Sequence, residues 1–148
     1  LLVMMLVEEQ VLAGIKEYFL SNHEAAAVYL FGSTVKGVAR ANSDIDLAVL
    51  FYPELDKIQR FSAKLGITND LEERARALGH EKKFDVVDIK SGDLFFIHQI
   101  MRNKILVLDK DPRYRVEFEV VSRRKYFDMQ GFYKLYHEQV LQRLKGRP

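Results

Sequence analysis

Apolar residues at Leu6, Val7, Val11, Ile15, Phe19 and Leu20 recur at helical spacing and predict one amphipathic helix over residues 3–21, ending near Ser21-Asn22-His23-Glu24. The run AAAVYLF that follows is short and continuously apolar, the signature of a strand buried on both faces, and it stops at Gly32. Residues 33–39 read as a short helical turn. In DIDLAVLF, residues 44–51, alternation puts Asp44, Asp46 and Ala48 on one face of a second strand and Ile45, Leu47 and Val49 on the other.

Leu55, Ile58, Phe61 and Leu65 return to helical spacing, and Asn69 with Glu72 offers a capping box for a further helix ending at Gly79, unless the two segments are one bent helix. KFDVVDI is a third strand, SGDLFFIHQIMRN a helix and KILVLD a fourth strand. From Arg113 onward Phe118, Val121, Met129, Phe132, Tyr136, Val140 and Leu144 form a long helical stripe with an expected break near Gly131. Helices alternating with short buried strands predict an α/β (α+β) domain around a small mixed sheet, one domain over residues 1–148 with a helical segment at about 112–146.

With 148 residues, 48% of them hydrophobic, the chain can bury a core for one domain but not for two of ordinary size. A net charge of +2 suits an anionic ligand without demanding nucleic acid, which is not expected as the main partner. The absence of cysteine removes disulfides and thiolate metal sites and leaves the cytoplasm as the expected compartment. The opening LLVMMLV is cut short by Glu8 and Glu9 and reads as buried helix, with no membrane segment or leader, and the native start is expected at Met4, Met5 or an upstream residue.

Two aspartates in an apolar strand are costly unless a cation or hydrogen-bond donors compensate them. A sharp turn at Gly32 into a helix starting at Ser33 would present backbone N–H groups, a hydroxyl and a helix dipole to a polyphosphate. Asp44 and Asp46, pointing the same way, would hold Mg²⁺, which takes a couple of carboxylates with phosphate oxygens and water. A third carboxylate would complete a two-metal arrangement, and Asp85 and Asp88 are both available in FDVVDI.

The segment GSTVKGVARANSDID, in the form Gly-Ser, ten residues, Asp-x-Asp, resembles the nucleotidyltransferase motif of the DNA polymerase beta superfamily. Gly37, the SDIDL wording and the carrying strand fall in register with it. The small size, FDVVDI, IMRNKILVLDKD and the closing YFDMQGFYKLYHEQVLQRLKG resemble the minimal nucleotidyltransferase (MNT) family, most of all the antitoxins of HEPN/MNT toxin–antitoxin pairs. The resemblance implies a nucleotidyltransferase fold, ATP as substrate, two Mg²⁺ ions and transfer of AMP to a tyrosine of a cognate HEPN ribonuclease toxin, bound as a hetero-oligomer. It implies Gly32, Ser33, Lys36 and Ser43 as nucleotide-binding residues, Lys36 standing where many relatives carry arginine. It implies Asp44, Asp46 and Asp85 as metal-binding and catalytic residues; Asp88, at odd spacing from Asp85, points to the other face of an ideal strand.

Other residues have plainer readings. Asp88 is a strand-end acid and Asp93 a solvated first-turn residue favourable to the helix dipole. His23, His80, His98 and His137 show no metal-ligand spacing, Arg123–Lys125 form a solvated face, and the aromatic stripe Phe118, Phe127, Phe132, Tyr133 and Tyr136 is core, part of it being available as a toxin interface. Two alternatives to the protein adenylyltransferase are an antitoxin that acts only by covering its toxin, and a nucleotidyltransferase for a small molecule or an RNA 3′ end.

Overall fold

The computed structural model describes residues 2–32 and 44–146. The expected turn at 33–39, with Ser33, Lys36, Gly37 and Ser43, lies outside the described residues. The elements are α1 (Leu2–Leu20), β1 (Ala25–Phe31), β2 (Ile45–Phe51), α2 (Lys57–Ala77), β3 (Phe84–Asp88), a 3-10 turn at Ile89–Ser91, α3 (Leu94–Arg102), β4 (Ile105–Asp109) and α4 (Pro112–Lys145). The four strands form a mixed sheet in the order β3-β2-β1-β4. β1 runs antiparallel to both β2 and β4, and β2 runs parallel to β3, with α2 as the crossover that a parallel pair requires.

Strand alternation divides the core between the two faces of the sheet. Val28, Leu30, Ile45, Leu47, Val49 and Val86 pack against Val11, Ile15 and Phe19 of α1 and Ala63, Ile67, Leu71 and Ala75 of α2. Ala27, Tyr29, Ala48 and Leu50 pack on the other side against Ile97 and Ile100 of α3, with Tyr114 and Phe118 of α4. The helices therefore cover both faces, and the fold class read from the sequence is the fold observed.

The structure decides three local expectations. Of the two readings of residues 55–79 the single helix is the one observed: Asn69 and Glu72 start no helix, the capping box of α2 is built by Asp56 and Gln59, and the chain reverses at Gly79 with φ +82°. Glu72 instead accepts the backbone N–H of Phe84 and so closes the end of β3. Nor is there a break at Gly131. α4 runs unbroken through it, and because a Cβ at Gly131 would meet nothing within 4 Å, Gly131→Ala is expected to stabilise the protein by about 0.5–1 kcal/mol, read as a rise in denaturation midpoint.

The aromatic stripe of α4 is the third. The first part of α4 is pinned: Asp111 caps it, Tyr114 donates its hydroxyl to the Phe51 carbonyl at 3.1 Å, and Arg115 pairs with Asp109 at 2.7 Å. Glu119 accepts from Tyr29 and Arg115 and pairs with Lys104; burial alone would raise its carboxyl, but these partners hold it below the usual carboxylate range. Beyond Ser122 the contacts thin to a stack of His98 on Tyr126 at 3.7 Å, with Phe127 edge-on. Only Phe118 of the stripe packs on the core, while Phe127, Phe132, Tyr133 and Tyr136 are each more than half exposed. Among the described residues, no helix is long and apolar enough to cross a membrane.

Candidate active site

Because β1 is antiparallel to β2 and β2 parallel to β3, the end of β1 and the beginnings of β2 and β3 share one edge of the sheet. Phe31 stands opposite Asp46, and Asp46 opposite Asp85. The Asp44-x-Asp46 pair and Asp85, far apart in sequence, are thus brought together on the face of β2 and β3 that looks toward α3. Asp46 is half-buried, whereas Asp44 and Asp85 are exposed. Burial first, then the negative charges of Asp85 and Asp44, raise the Asp46 carboxyl above its ordinary range.

Gly32 completes this edge. Its φ of +79° is a left-handed conformation that suits glycine, and a Cβ there would lie 2.1 Å from Asp46 Oδ2. The Asp46 carboxylate therefore occupies the space that a side chain at position 32 would need.

Asp88 has a different task. It is buried, accepts Arg60 Nε at 2.7 Å and the Ser91 hydroxyl at 2.8 Å, and caps the 3-10 turn through the Lys90 N–H. It stands in register with Val49, away from the Asp46–Asp85 rung. Asp88→Ala would leave Arg60 without its carboxylate partner, with only the Leu55 carbonyl to accept from it, and is expected to lower unfolding stability by about 3 kcal/mol, measured by urea titration. Asp93 is the N-cap of α3, accepting the Phe96 N–H at 2.8 Å, rather than a residue of its first turn.

The donor set is carboxylate oxygen throughout, the chemistry a hard divalent ion takes, and the repulsion felt by Asp46 is what such an ion would relieve. Among the described residues no three acids, histidines or cysteines are placed to hold a metal ion between them, so a divalent ion at this edge would take only some of its ligands from these carboxylates.

One feature near the site escaped the sequence reading. Of the residues whose spacing reads as helical, Leu55 packs against the core, whereas Ile58, Phe61 and Leu65 are 50–80% exposed and the buried stripe of α2 is Ala63, Ile67, Leu71 and Ala75. The signal was present as two apolar stripes on one helix, only one of which a single sheet face can bury. Phe61, from the outward stripe, lines a cavity of about 270 Å³ between α2, β3 and α3.

The edge of this small mixed sheet thus carries a left-handed glycine turn against Asp46, with Asp85 on the same rung. The chain belongs to the Polymerase beta, Nucleotidyltransferase family, whose sequence profile matches residues 13–113. It is 32% identical over 74 residues to the protein adenylyltransferase MntA of Shewanella oneidensis, a match covering 50% of this chain and 47% of that protein, so it spans about half the length of the curated relative. In a crystal structure of a toxin–antitoxin pair with AMP-PNP, one chain superposes with a TM-score of 0.62 at 24% identity, covering 90% of this chain and 98% of that one. A chain in the complex of a tri-AMPylated Shewanella oneidensis HEPN toxin with its MNT antitoxin gives a TM-score of 0.57 at 21% identity, over 88% and 98%. These structures share the fold.

Proposed function

We propose that this chain is an antitoxin that transfers AMP from ATP to a tyrosine of a cognate HEPN ribonuclease toxin and thereby silences it, in the cytoplasm and with Mg²⁺. The observation that carries the reading is the Asp46–Asp85 rung lying against the Gly32 turn. The MntA relative, an adenylyltransferase, and the toxin–antitoxin complexes that share the fold support the choice of substrate and partner.

The residues divide the work. The Gly32 backbone, with Ser33, Lys36 and Ser43, holds the triphosphate beside Asp46. Asp44, Asp46 and Asp85 hold two Mg²⁺ ions, which when bound neutralise the triphosphate and ease deprotonation of the acceptor hydroxyl. Asp85, the exposed member of the rung, takes up the phenolic proton as the hydroxyl oxygen approaches the α-phosphate.

The exposed aromatic face of α4 favours a second reading, neutralisation by contact alone. Incubating the purified protein with Mg²⁺, ATP and the HEPN partner, then weighing the partner by intact-protein mass spectrometry, separates the two. The expected result is a gain of one or more AMP units that is lost in Asp44→Asn while the complex still forms. A stable complex without any gain would replace the transfer reading with the contact reading.

A further inference from the structure

We infer that the cavity at the β3 edge is the acceptor subsite, shaped for the aromatic ring of the tyrosine that receives AMP; this rests on the adenylyl-transfer reading. In an in-line displacement the acceptor oxygen attacks the α-phosphorus from the side opposite the departing pyrophosphate. With the triphosphate tail held by the turn that follows β1, the attack must come from the far side of Asp46. The sheet order puts β3 there, as the edge strand among the described residues.

The cavity lies at that edge. α3 covers the middle of the sheet over Ala27, Tyr29, Ala48 and Leu50 but leaves Asp85 exposed and Val87 half-buried. Val87 lines the cavity, and it sits two residues beyond Asp85 on the same face, a distance of roughly 7 Å along a strand. Phe61 and Phe96 stand among its walls, 58% and 36% exposed. Phe96 is also edge-on to Phe31 at 6.3 Å, and Phe31 is the residue opposite Asp46, so this wall is tied to the catalytic edge.

Size and chemistry point the same way. At about 270 Å³ the cavity falls short of the roughly 300–1,000 Å³ typical of whole small-molecule sites and suits one ring rather than a nucleotide. Two exposed phenyl groups offer edge and face contacts to a phenol. Lys57 and Lys64 line the same cavity together with Asp88, whose charge is paired with Arg60, and they offer polar donors to a phenolic oxygen. Gly92 leaves room for the Phe96 ring, since a Cβ there would come within 2.5 Å of Cδ1. The step balances: the phenolic oxygen bonds to the α-phosphorus, the bond from that phosphorus to the bridging oxygen breaks, pyrophosphate leaves with the electron pair, and the phenolic proton passes to Asp85 and on to water.

The test is steady-state AMP transfer to the HEPN partner by wild type, Phe61→Ala and Phe61→Tyr, alongside calorimetric binding of AMP-PNP with Mg²⁺. Phe61 is exposed, so its truncation leaves the core intact. The expected result is a KM for the partner raised about tenfold in Phe61→Ala and restored in Phe61→Tyr, with AMP-PNP affinity unchanged. An unchanged KM in Phe61→Ala would overturn the inference, and so would a loss of AMP-PNP affinity, which would assign the cavity to the nucleotide base. If wild type binds AMP-PNP and the partner but transfers nothing, the transfer reading itself fails and the inference with it.

Discussion

Asp46→Asn is expected to reduce AMP transfer by about a thousandfold while raising the melting temperature in magnesium-free buffer. The two effects have one cause. Asp46 is the half-buried member of three mutually repelling carboxylates, and its carboxyl is raised above its ordinary range by burial, Asp85 and Asp44. A carboxyl raised in the folded state favours folding least where it is ionised: the penalty is absent below the unfolded pKa and grows as pH rises through the folded one. Neutral asparagine removes that penalty at pH 7, so the gain in melting temperature should shrink on acidification through the carboxylate range. The activity loss follows because an amide is a poor ligand for a hard cation, and losing about 4 kcal/mol of transition-state stabilisation is a thousandfold in rate. Parallel thermal scans and mass-spectrometric transfer assays check both signs.

Gly32→Ala should be nearly as damaging without altering any charge. The left-handed conformation at φ +79° disfavours a side chain by roughly 1–2 kcal/mol. The new Cβ would also require the space of Asp46 Oδ2, 2.1 Å away, so the turn or the carboxylate must move. A shift of about 1 Å at a reacting centre costs on the order of a hundredfold in turnover. The variant should therefore stay folded, lose some melting temperature and transfer AMP about a hundred times more slowly. A rate within a few-fold of wild type would show that the turn and Asp46 do not act together.

The alternation of DIDLAVLF and the continuous apolar run of AAAVYLF were legible because strand periodicity is local, and both strands lie where those patterns put them. The pairing of Asp46 with Asp85 was less so: odd spacing separated Asp85 from Asp88, but only the parallel register of β2 and β3 brings Asp85 to the same rung. Asp88 was read as a strand-end acid, and its burial against Arg60 was missed because that partner lies 28 residues away on another element. The helices misled for a related reason. Asn69 and Glu72 have the residue types of a capping box, yet with α2 already running through them the chain had no end to cap. Phe61 and Phe127 look like core on a helical wheel, and what exposes them is the limited area of a four-stranded sheet, which accepts one stripe of α2 and the first part of α4.

The most direct test of the central claim is to supply α-phosphate-labelled ATP, Mg²⁺ and the HEPN partner to wild type, to Asp85→Asn and to Glu73→Gln, a control that neutralises an exposed carboxylate on α2. Label retained on the partner is then counted. If the rung of Asp46 and Asp85 performs the transfer, wild type and the control label the partner alike, and Asp85→Asn falls by at least about a hundredfold while still binding it. Equal labelling by Asp85→Asn would contradict the claim.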